Sequence, residues 1–146
     1  MLPANQFNVL QRVAALHHRS LPVYLTYAPP WVPPNHEDRR QVIDEIAADH
    51  HELVERIVRI LEAEGRPFSL GDFPMAYTDL NDLSLDFILT ELVRYEERLQ
   101  ATLLTYREDL PADGIPGGIV DDAVRMASAH REILKNSPGD SPAMRP

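Results

Sequence analysis

No cysteine occurs in the chain. That absence excludes disulfides, thiolate metal sites, iron–sulfur ligation, covalent haem attachment through cysteine and cysteine nucleophiles. Small secreted proteins commonly carry disulfides, so a cytoplasmic location is expected. Positive charge is scarce: 14 basic residues stand against 23 acidic ones, a net charge of −9. With no basic block either, neither nucleic acid nor an anionic membrane is an expected partner. Long apolar runs are also missing, because Arg and Asp interrupt every candidate, so no membrane span is expected. The stretch Met1 to Phe7 has no charged leader, and no signal peptide is expected. The six glycines form no phosphate-binding loop. Ser20, Ser69, Ser84 and Ser128 lack the His-and-acid company of a nucleophile, which disfavours hydrolytic and acyl-transfer enzymes. Strand-like alternation is absent throughout, so the fold class is all-α.

What the chain does have is helical periodicity over 146 residues, enough for one domain with a core. A first helix is expected from Ala4 to Ala28, with Phe7, Leu10, Ala14, His17, Leu21, Tyr24 and Ala28 in steps of three and four. Pro22 lies inside that run and predicts a kink, or a break with Ser20 as a local cap. The proline-dense segment Pro29 to Pro34 predicts an extended strap anchored on the helices by Trp31. A second helix should run from His36 to Glu64 and stop at Gly65. The connection Gly65 to Thr78 is long and breaker-rich, as a crossover would be. A third helix is expected from Thr78 or Asp79 to Asp109, and a fourth from Ile119 to Lys135. The layout is two helical hairpins with a long central crossover, a four-helix bundle over residues 1–137 followed by a flexible tail over 138–146 rich in Ser, Pro and Gly.

A few polar residues occupy positions on these helices where an apolar side chain belongs. His50 sits in the series Ile43, Ile46, His50, Leu53, Ile57, Ile60, and His130 in the series Val120, Ala123, Ala127, His130, Leu134. On the first helix the candidate is His17, with His18 as the alternative; on the third it is Glu96, with Glu97 as the alternative. Each helix thus offers one polar group to the shared core, and His17 precedes His50 by nearly the same distance as Glu96 precedes His130. A buried imidazole without a partner costs about 1–3 kcal/mol, so these groups must meet one another or an ion.

In this layout and spacing the chain resembles the ferritin-like superfamily of the bacterioferritin and rubrerythrin type, and most closely its small bacterial members with no assigned activity. In that family each hairpin contributes a Glu from its first helix and a Glu-x-x-His from its second. The resemblance implies that Glu96, His50 and His130 hold metal and that His17 replaces a Glu. Two positions depart from the pattern. Ala47 and Ala127 stand where both Glu-x-x-His carboxylates would be. One carboxylate against three imidazoles is a poor shell for two ferric ions but a reasonable one for a single iron, zinc or manganese ion. The resemblance so amended implies a single-metal protein with a redox or oxygen-related role, not iron storage, and pairing into a dimer along a flank.

Three rival readings remain open from the residues. The first is a metal-free structural or interaction module. Its buried network would join the imidazoles to Glu96, with Tyr24 or Tyr95 closing the lone pairs. The second is a hemerythrin-like bundle, which Asp49-His50-His51-Glu52 and His130-Arg131-Glu132 resemble; it lacks a His on the third helix and any His-x-x-x-His. The third is haem, with one of these His as axial ligand.

Overall fold

Ser20 breaks the first predicted helix in two. In the computed structural model, which describes residues 1–136, α1 spans Ala4–His18 and α2 spans Leu21–Tyr27. Ser20 is extended, and its Oγ accepts a hydrogen bond from Val23 N at 3.4 Å. Pro22 then falls in the first turn of α2, where a missing N–H costs no helical bond. The break matters because it places the Ser20 hydroxyl, rather than a helix backbone, beside the middle of the next helix. That helix, α3, runs Glu37–Glu64 and ends on Gly65 in the left-handed conformation (φ 72°).

The third and fourth predicted helices start elsewhere than expected. Residues Thr78 and Asp79 belong to a short 3-10 helix, Met75–Leu80, and α4 begins only at Leu85, running to Glu108. Ser84 caps it by accepting from Phe87 N at 3.2 Å, whereas the Thr78 hydroxyl donates to Met75 O inside the 3-10 turn. The last helix, α5, spans Ile115–Lys135 and begins before the expected Ile119 because Pro116 suits a first turn. Gly117 is needed there: a Cβ on it would lie 3.0 Å from the Arg107 guanidinium. Arg107 in turn ties the α4–α5 turn, donating to Asp121 Oδ1 at 2.8 Å and Pro111 O at 2.9 Å.

Trp31 does not anchor the strap; it is 74% exposed. In an extended segment successive side chains alternate, and here Pro30 and Val32 face inward while Trp31 faces out. Arg39 is buried and pairs with Asp86 of α4. The tail expected over 138–146 lies outside the described residues. No strand occurs among the described residues, and no helix is long and apolar enough to cross a membrane.

The chief packings are α4 on α5, and α1 and α2 on α3. The apolar core falls into two clusters. One gathers Leu10, Ala14, Leu53, Ile57, Leu99 and Leu103 with Ile119, Val120 and Ala123. The other gathers Leu21, Tyr24, Ile43, Ile46, Ile88, Leu92 and Leu134. Residues 65–84 pass along both: Phe68 and Leu70 pack on the first, Phe73, Tyr77 and Leu80 on the second. Between the clusters lies one polar layer. His17 separates Ala14 from Leu21, His50 separates Ile46 from Leu53, Glu96 separates Leu92 from Leu99, and His130 separates Ala127 from Leu134.

Candidate metal centre

The four residues of that layer are 0–2% exposed. His18 and Glu97, the alternatives one position along, face solvent. The donor atoms of His50, Glu96 and His130 all lie within 4.8 Å of one another. Glu96 Oε1 is 3.5 Å from His50 Nε2 and 3.6 Å from His130 Nδ1. These are too long for hydrogen bonds of normal geometry. They are close to the edge of a metal tetrahedron: two donors each about 2.1 Å from an ion at the tetrahedral angle stand about 3.4 Å apart. His17 adjoins this trio edge-on to His50, ring centroids 4.8 Å apart, but is not one of the three converging residues.

Neighbouring groups bear on which nitrogen of each ring carries its proton. The His17 Nδ1 contact is with the Val13 carbonyl at 2.7 Å, and a carbonyl only accepts. Nδ1 therefore carries the proton and Nε2 is a free lone pair. His130 Nε2 lies 2.8 Å from Asp49 Oδ2, and an ionised carboxylate also only accepts. Its proton is on Nε2, and Nδ1 faces Glu96 bare unless the ring is doubly protonated. This is a carboxylate–histidine pairing of the kind that orients metal ligands. His50 Nδ1 lies 2.7 Å from Ser20 Oγ, which also accepts from Val23 N. A hydroxyl both donates and accepts, so either tautomer of His50 suits Ser20; the one with Nδ1–H donating to Ser20 leaves Nε2 bare.

Five buried atoms consequently have no hydrogen-bond partner: His17 Nε2, His50 Nε2, both carboxylate oxygens of Glu96 and His130 Nδ1. A closed network would have needed Tyr24 or Tyr95 to satisfy them. Tyr24 OH donates to Asn81 Oδ1 at 2.7 Å and Tyr95 OH to Leu16 O at 3.3 Å, so neither phenol serves the layer. Native interiors rarely leave so many polar atoms unpaired in one place.

Electrostatics follow from burial against mutual attraction. Burial, then the neighbouring His50 ring, pushes His17 down to about 3. Burial also lowers His50, despite the attraction of Glu96. For Glu96 burial acts upward, but the imidazoles of His130 and His50 outweigh it and hold the carboxyl below its usual range. For His130 burial acts downward, and the carboxylates of Glu96 and Asp49 outweigh it and raise its pKa. One acid stability prediction arises here. Metal-free protein has His17 neutral when folded but protonating near pH 6.5 when unfolded, so its contribution is complete above that pH and declines as pH falls toward 3. For His17 alone the loss between pH 7 and 5 is about 2 kcal/mol. His50 adds to that loss and His130 opposes it. The urea midpoint of metal-free protein should therefore fall more between pH 7 and 5 than that of its His17→Leu variant; equal falls would mean that His17 is not neutral in the fold.

Asp49 and Ser20 were not singled out as site residues from the sequence. A partial signal existed for Asp49, three after Ile46 and four before Leu53, at the edge of the same helical face. Nothing local marked Ser20 as more than a cap. Comparison with protein-family models, with curated proteins and with solved structures finds no match.

Proposed function

We propose that the protein binds one divalent transition-metal ion in the polar layer, through His50 Nε2, His130 Nδ1 and Glu96, with His17 Nε2 as the fourth donor. The observation that carries this reading is the convergence of the unpartnered donors of His50, Glu96 and His130, with Ser20 and Asp49 on the far sides of the two rings; His17 Nε2, unpartnered and beside His50, is the nearest further donor. Three imidazoles and a carboxylate suit zinc, iron or manganese. The ion would supply Lewis acidity, or one-electron chemistry if it is iron. The chain's own contribution is a buried site with oriented rings and one compensating negative charge. We read the helices as a divergent ferritin-like four-helix bundle, with α1 and α2 against α3 as one hairpin, α4 and α5 as the other, and residues 65–84 as the crossover. The two missing carboxylates, at Ala47 and Ala127, speak for a single ion and against iron storage. A cytoplasmic dimer is the setting we propose for it.

The test is titration of chelator-stripped protein with Zn²⁺, Mn²⁺ and, anaerobically, Fe²⁺, against a chromophoric competitor. At least one ion should saturate at a single equivalent per chain. At a thousandfold excess over Kd it should add about 4 kcal/mol to folding stability. Absence of saturable binding for all three would leave the metal-free network as the reading.

A further inference from the structure

A second site lies outside the polar layer. Between the α1–α2 break, the 3-10 helix and α4 is a cavity of about 510 Å³, within the range of small-molecule pockets. Its walls are mostly apolar, with Leu16, Leu21, Leu80 and Leu99 among them. Its polar groups are few and grouped. Tyr77, Tyr95 and Arg98 share one part of that lining. Arg98 has no carboxylate partner among the described residues, and neither has Arg19, whose charge also bears on the Tyr77 phenol. The one acid in the lining, Glu91, is held by Arg94 at 3.1 Å.

We propose that this cavity binds a small amphipathic monocarboxylate, its carboxylate on Arg98 and the Tyr77 hydroxyl and its hydrocarbon body on Leu16, Leu21, Leu80 and Leu99. A guanidinium without a carboxylate partner and a phenol donor match one carboxylate. Glu91 on the rim disfavours a dianion such as a phosphate monoester, and the net positive head group disfavours an amine. The apolar walls give the hydrocarbon body the larger share of the buried surface. None of the five unpaired atoms of the polar layer lines this cavity, so the inference does not depend on metal binding.

Octanoate is the probe, titrated into the full chain and followed by amide chemical shifts in NMR and by calorimetry. Saturable shifts should centre on Tyr77, Tyr95 and Arg98. Acetate, which lacks the body, and octanol, which lacks the charge, should each bind at least about tenfold more weakly, the size of one lost charge-assisted contact. Arg98→Gln should weaken octanoate by about tenfold and Arg98→Lys by less. Arg98 is exposed, so both variants should fold, with metal stoichiometry as in the parent. The proposal is overturned if octanoate gives no saturable shifts, if octanol binds as tightly, or if Arg98→Gln leaves octanoate affinity unchanged. Each of those outcomes leaves the metal titration above unaffected, so the two readings fail separately.

Discussion

Protein carrying both His50→Ala and His130→Ala should fold and retain no metal. Each ring supplies one donor to the trio, and Glu96 with His17 offers too few donors to hold a transition ion against water. Affinity should fall by well over the 10- to 100-fold that removal of an orienting neighbour typically costs. That lesser range is the expected result for Asp49→Asn and for Ser20→Ala, which leave the ligands in place but free their orientation. The graded series separates ligand from positioning residue. Two large-to-small changes in one layer open a cavity and can cost about 2–5 kcal/mol each. The pair His50→Leu and His130→Leu therefore serves as a filled control with the same expected loss of metal. Retention of stoichiometric metal by either double variant would exclude this site.

The second large effect concerns stability without metal. Replacing His50, Glu96 and His130 together by Leu should stabilise the metal-free protein by about 1–4 kcal/mol, as exchange of buried ionic groups for packed apolar ones commonly does. The reason lies in the fold. Apolar clusters abut the layer on both sides, so leucines there would join two cores into one. Glu96→Leu alone should act in the opposite direction, by about 3 kcal/mol, because it strips His130 and His50 of their shared negative charge. Urea unfolding of chelator-treated samples reads both. A triple variant no more stable than the single one would mean that the layer is a satisfied structural network, and that metal is not what it is built for.

Much of the layer was legible because a helix repeats. A polar residue in a series such as Ile46, His50, Leu53 is visible from the order of residues alone, and the same interruption recurs on three other helices. The nearly equal spacings from His17 to His50 and from Glu96 to His130 suggested a shared layer, but not that His50, Glu96 and His130 converge while His17 stands beside them. Helix starts were less legible. Thr78, Asp79 and Ser84 are all competent caps, and the choice fell to Ser84 because the intervening residues close 3-10 turns instead. Trp31 was misplaced because its size suggests burial, whereas an extended strap can bury only every other side chain. Arg39 lies four residues before Ile43, on the buried face of α3, so its burial could be read from the series; its partner Asp86, on a different helix, could not. Ser20 and Asp49 share that difficulty. Their roles exist only across the α2–α3 and α3–α5 contacts, which no local pattern encodes.

Elemental analysis by plasma mass spectrometry, on full-length protein purified without metal-chelating resin, bears most directly on the polar layer. The account predicts about one equivalent of zinc, iron or manganese per chain, absent from the His50→Ala, His130→Ala protein prepared in parallel. Parent protein that carries no transition metal, and takes none up when it is supplied, would contradict it.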